Sequence, residues 1–192
     1  MEAVVLAHGA GAPMDSPFLE FVAAGLGKRG LRVVRFEFPY MHARRDGRRP
    51  LPDRESVLLD RWRAVLAELG GRPLVIGGKS LGGRMASLLA DEVGARGLVC
   101  LGYPFHPPGK AQRLRVAHLE GLRTPTLVVQ GTRDALGSRE EVAGYRLSRS
   151  IRVHWIEDGD HSLKPRARSG RSERQNLDEA VDAVAQFVGG LG

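Results

Sequence analysis

Cysteine occurs once in these 192 residues, lysine only at positions 28, 79, 110 and 164, and aromatic residues make up 6%. The lone Cys100 lies in the apolar run Leu98-Val99-Cys100-Leu101. It has no partner for an internal disulfide, so a small buried filler in a reducing compartment is the expected role. No run of 18 apolar residues is present, which excludes a membrane-spanning helix. The opening Met1-Glu2-Ala3-Val4-Val5-Leu6-Ala7-His8 lacks a basic region and is too short an apolar stretch for a signal peptide. A cytoplasmic protein without a membrane partner is expected. No two histidines have metal-ligand spacing with a cysteine or carboxylate, so no metal is expected either.

What is abundant is arginine, and it drives a net charge of +7 and a pI near 10.3. Such charge can attract nucleic acid or anionic substrates, or can simply be solvated surface. The basic stretches lack interleaved aromatics and no nucleic-acid motif is present, so no nucleic-acid partner is expected. Length and a hydrophobic content of 42% suit a single domain spanning residues 1–192, with a full core.

Short β-type runs alternate with amphipathic stretches along the chain. The strand candidates are residues 3–7, 32–38, 73–76, 97–101, 126–130 and 151–156. Helical stripes follow at Leu58, Trp62, Val65, Leu66 and Leu69, then at Leu81, Met85, Leu88 and Leu89, and finally at Leu177, Val181, Val184 and Val188. Strict alternation predicts an α/β fold, a doubly wound three-layer sandwich with a mainly parallel six-stranded sheet. Four strands are continuously apolar. The second (Val34-Arg35-Phe36-Glu37-Phe38) and sixth (Ile151-Arg152-Val153-His154-Trp155-Ile156) alternate with polar residues and suit the edges. The predicted order is therefore 2-1-3-4-5-6. Its switch point lies between strands one and three, so the loops beginning at His8 and Gly77 should carry the chemistry. Residues 39–53, 103–121 and 157–171 read as loops on the same rim.

Gly78-Lys79-Ser80-Leu81-Gly82 has the form G-x-S-x-G between an apolar strand and an amphipathic helix. That spacing holds a serine on a tight strand-to-helix turn whose neighbours need glycine. A phosphate-binding P-loop reading fails because its first glycine would fall at Pro73. A serine hydroxyl needs a base, and the base needs an acid to orient it. Asp134, in Gly131-Thr132-Arg133-Asp134, and His161, in Glu157-Asp158-Gly159-Asp160-His161-Ser162, follow the fifth and sixth strands onto that rim. Asp158 and Asp160 compete for the acid role, but their closeness to His161 suits capping or turns. The oxyanion donors are expected from Leu81 and from Ala10 in His8-Gly9-Ala10-Gly11-Ala12, with Gly11 the alternative to Ala10.

Together these residues resemble the α/β-hydrolase superfamily over essentially the whole chain, as a minimal, lidless version without the usual two leading strands. Residues 102–109, 130–134 and 159–162 are similar to the small hydrolases related to testis-expressed and NSL-complex regulatory-subunit proteins. The resemblance implies a serine hydrolase with Ser80, Asp134 and His161 catalytic and no cofactor. Its expected substrate is a small or short-chain carboxylic ester or thioester. The basic rim (Arg44, Arg45, Arg48, Arg49, Lys164, Arg166, Arg168) could favour anionic groups. The rival is a non-catalytic interaction module on the same scaffold.

Overall fold

Val4 and Leu6 face one side of the first strand, and Val5 and Ala7 the other. Both pairs are fully buried, so this strand needs a layer on each face. The computed structural model describes residues 3–70 and 73–192. In it, β1 (Ala3–Ala7), β2 (Arg32–Phe36), β3 (Val75–Lys79), β4 (Gly97–Leu101), β5 (Thr126–Gly131) and β6 (Ile151–Ile156) form one sheet. Every pairing is parallel and the order is β2-β1-β3-β4-β5-β6. The expected order holds, and β2 and β6 occupy the edges, each largely half-buried or exposed where β1 and β4 are buried throughout.

One face is covered by α1 (Pro17–Lys28) and α6 (Glu173–Gly189), whose Leu19, Val22, Val181 and Val184 pack on Val4, Leu6, Val99 and Val129. The other face takes α2 (Pro39–Arg45), α3 (Glu55–Glu68), α4 (Leu81–Leu89) and the short α5 (Arg139–Val142). There Trp62, Met85 and Leu89 meet Val5, Ile76, Cys100 and Val128. Ser16 caps α1 ahead of Pro17, and Ser172 with Gln175 forms a capping box on α6. Cys100 is buried, and burial pushes its thiol well above its ordinary range.

Several expected boundaries move, the fifth strand by a single residue, to Gly131. The second strand stops at Phe36 rather than 38, because Phe38 precedes Pro39, which opens α2. The segment 39–53 therefore begins as a helix and not as a loop. The third strand spans Val75–Lys79 instead of 73–76. Gly77 and Gly78 read as a turn, but they lie within the ladder. A Cβ on Gly77 would stand 1.9 Å from the Val99 oxygen, and one on Gly78 2.2 Å from the Ala7 oxygen. Glycine here permits close strand approach, and the chain leaves the sheet only at Ser80.

Candidate active site

Ser80 sits between β3 and α4 with φ 49° and ψ −113°, a conformation a side-chain-bearing residue adopts only at a cost. Two glycines make the turn possible. Gly78 has φ 156°, and a Cβ on Gly82 would lie 2.4 Å from the Ala7 oxygen. The Ser80 N–H donates to the Leu101 carbonyl at 3.0 Å, tying the turn to β4. The hydroxyl is left to face the sheet's carboxyl edge.

His161 arrives from the loop after β6, and its Nε2 lies 2.9 Å from Ser80 Oγ. Its Nδ1 lies 2.8 Å from Asp134 Oδ2. Asp134 is fully buried in the turn after β5 and accepts the Leu136 N–H through Oδ1 at 2.8 Å. With Asp134 as acceptor, the imidazole proton belongs on Nδ1 and Nε2 is left as acceptor toward the hydroxyl. A proton can pass from Ser80 to His161 without moving a heavy atom. Asp158 and Asp160 are elsewhere engaged. Asp158 pairs with Arg133 and Arg166, and Asp160 accepts the Ser162 and Lys164 N–H groups.

The loop after β1 is held just as tightly. His8, fully buried, donates from Nδ1 to the Gly9 carbonyl at 2.7 Å and accepts the Phe38 N–H at Nε2 at 3.1 Å. The Ala10 carbonyl accepts the Tyr40 hydroxyl at 3.1 Å. In a trans peptide the carbonyl and the following N–H point oppositely. Pinning the Gly9 and Ala10 carbonyls therefore also fixes the directions of the Ala10 and Gly11 N–H groups. These residues line a cavity of about 440 Å³ with Ser80 and His161. Leu81, first in α4, has an N–H with no acceptor inside its helix.

Burial lowers the His8 pKa below its ordinary 6.5, and the imidazole accepts a backbone N–H only when neutral. Below pH 6.5 the unfolded chain binds a proton here that the folded chain resists, so stability should fall with acidification. Replacing His8 by Gln should flatten the decline in melting temperature between about pH 6.5 and 5 relative to wild type. An unchanged pH dependence in that variant would refute the assignment.

A model of the alpha/beta hydrolase domain family matches residues 1–189. The chain belongs to this family. It is similar to a solved member of the alpha/beta hydrolase superfamily from Xanthomonas campestris pv. campestris, at 26% identity over 100% of both chains and TM-score 0.66. A serine hydrolase without a lid from Xanthomonas campestris shares 19% identity across 96% of this chain and 80% of that one, with TM-score 0.69. An alpha-beta serine hydrolase homologue from Coxiella burnetii shares 18% across 96% and 84%, with TM-score 0.73. The last two are likenesses of fold.

In this hydrolase-family chain the connection from β4 to β5 carries only a 3₁₀ turn, Ala117–Leu119, and no lid helix. The basic rim is largely engaged. Arg45 pairs with Glu37 and Asp15, Arg48 with Asp46, Lys164 with Glu173 and Arg166 with Asp158. Arg44 holds the Pro50 and Ala10 carbonyls. Among the described residues, Arg49 and Arg168 have no ion-pair partner. Of the other histidines, His118 bonds Ser87 at 2.8 Å and His154 faces Glu179 at 3.1 Å. His106 lies 3.4 Å from Glu141, away from Ser80.

Two residues in contact with this cluster escape a reading by residue type. Gln130, fully buried at the end of β5, accepts the Tyr103 N–H, and its two Nε2 hydrogens are shared among the Tyr103 and Gly137 carbonyls and Asp134 Oδ2, the last at 3.0 Å. It reads as the last residue of an apolar strand, and a buried amide there was the available signal. The second is Lys79, whose ammonium reaches the His161 carbonyl at 2.6 Å.

Proposed function

We propose that this chain is a serine hydrolase that cleaves a small or short-chain carboxylic ester or thioester through an acyl-enzyme on Ser80. The observation that carries this reading is the unbroken relay from Ser80 Oγ to His161 Nε2 at 2.9 Å and from Nδ1 to Asp134 at 2.8 Å. Ser80 attacks the carbonyl carbon while His161 takes the hydroxyl proton. The imidazolium is stabilised by Asp134 and returns that proton to the leaving group. The Leu81 and Ala10 N–H groups receive the oxyanion, with Gly11 the alternative to Ala10. Water activated by His161 then attacks the acyl carbon and releases Ser80.

The short rim loops and the open cavity of about 440 Å³ favour small acyl groups. No cofactor enters any step. Arg49 and Arg168 are the rim cations through which anionic esters would be drawn.

A fluorophosphonate probe should label the protein, with mass spectrometry placing the adduct on Ser80. A panel of p-nitrophenyl esters should show the highest kcat/KM for short acyl chains. Within matched pairs, any preference for the anionic ester should fade as salt rises. An unlabelled Ser80 in folded protein would favour the interaction-module reading instead.

A further inference from the structure

Lys79 occupies the variable position of the serine pentapeptide, at the end of β3. Its stem runs beside Gly9, where a Cβ would touch Lys79 Cγ at 3.5 Å. Its ammonium crosses to the loop after β6 and donates to the His161 carbonyl at 2.6 Å. The Phe18 ring lies 5.5 Å away. The meeting point is also shaped by the loop after β4. Gly102 has φ 66°, and a Cβ there would stand 2.9 Å from Nζ and 2.7 Å from the His161 oxygen. Three rim loops thus converge on one contact, with a glycine leaving the space it fills.

The contact matters because of what else holds His161. Its neighbours are fastened locally, as Arg133 donates to the Gly159 carbonyl and Asp160 to that of Lys164. Among the described residues, no backbone N–H donates to the carbonyl of His161 itself. Desolvation pulls the Lys79 pKa down to about 8, against the pull of Asp134 and Asp160. Burying an ammonium is costly, and an apolar side chain would fill the same space without that cost. A charge-assisted bond to a carbonyl is about twice as strong as a neutral one and directional.

We propose that Lys79 is a positioning residue that clamps the base loop to the nucleophile turn, holding the His161 main chain so that Nε2 stays on the Ser80 hydroxyl. This rests on reading Ser80 and His161 as nucleophile and base. Displacing a reacting group by about 1 Å can cost 10²-fold in rate. Lys79 also borders the cavity beside Ser80, and the clamp is told apart from a binding contact there by acting on kcat rather than on KM.

The test compares K79M and K79C with wild type on p-nitrophenyl acetate, alongside melting temperature and the rate of Ser80 labelling by a fluorophosphonate. Both variants should lower kcat by about 10- to 100-fold with KM within about threefold, and labelling should slow in parallel. Treating K79C with 2-bromoethylamine rebuilds an ammonium with sulfur in place of one methylene, and should restore at least about a third of wild-type kcat. The buried Cys100 is shielded from the reagent. If K79M fails to fold by circular dichroism, K79C before and after aminoethylation decides alone.

The clamp is overturned by a kcat within about threefold of wild type in K79M. A loss confined to KM, or aminoethylation that restores folding stability without restoring rate, overturns it equally. Failure of wild type to label at Ser80 overturns the underlying serine-hydrolase reading. Normal wild-type labelling with unaltered K79M overturns the clamp alone.

Discussion

Ser80→Ala and His161→Ala are each expected to lower kcat by about 10⁶ on a p-nitrophenyl ester, and the double variant by no more than either alone. In the proposed mechanism the two side chains perform one step, with the hydroxyl attacking only as Nε2, 2.9 Å away, takes its proton. Removing either ends that step, and removing the second then has nothing further to abolish. What survives is the rate supplied by the backbone donors and by substrate binding. Stability should barely move in Ser80→Ala. The Ser80 side chain makes no capping bond to α4, and alanine meets the same backbone constraint at φ 49°. A melting temperature close to wild type with activity gone separates chemistry from misfolding. Wild-type activity in Ser80→Ala would remove this residue from the mechanism.

The sheet order was readable because edge strands carry their exposure in their sequence. Arg35, with Glu37 just past the strand, on one side and Arg152 and His154 on the other mark β2 and β6, while β1 and β4 are apolar throughout. Strand ends were less legible. Gly77 and Gly78 carry the same local signal whether they turn the chain or let two strands approach, and only the neighbouring Val99 and Ala7 carbonyls distinguish the two. The site divides in the same way. Ser80, Asp134 and His161 stand out by residue type and by following strands. Gln130 bonds Asp134 only four residues on, but it reads as the end of an apolar strand, and the Lys79 contact spans 82 residues, so neither residue type nor spacing announces these contacts. His8 was visible as the start of a loop, but its role depends on Phe38, 30 residues on, whose N–H it accepts.

Asp134→Asn is expected to lower kcat by about 10⁴ while leaving the fold intact, and the surrounding donors explain why. Asp134 accepts three N–H groups, from Leu136 at Oδ1 and from His161 and Gln130 at Oδ2. Asparagine offers one oxygen and one NH₂, so one side of the amide must face a donor. If the oxygen stays on His161, the half-buried Leu136 N–H loses its acceptor, at a cost toward the low end of about 1–3 kcal/mol. If the oxygen takes Leu136, the NH₂ faces His161 and Gln130. Gln130 tolerates this, because its two Nε2 hydrogens still have the Tyr103 and Gly137 carbonyls. His161 tolerates it too, by moving its proton from Nδ1 to Nε2. The second arrangement leaves unpaired only the one hydrogen of the new amide that faces the Gln130 NH₂, keeps the Leu136 N–H satisfied, and is the one that should prevail. It also turns Nε2 from acceptor into donor toward Ser80, so the hydroxyl loses its base. The signature is a large loss of kcat with the melting temperature nearly unchanged. A variant that keeps kcat within about tenfold of wild type would show that Asp134 does not set the histidine's tautomer.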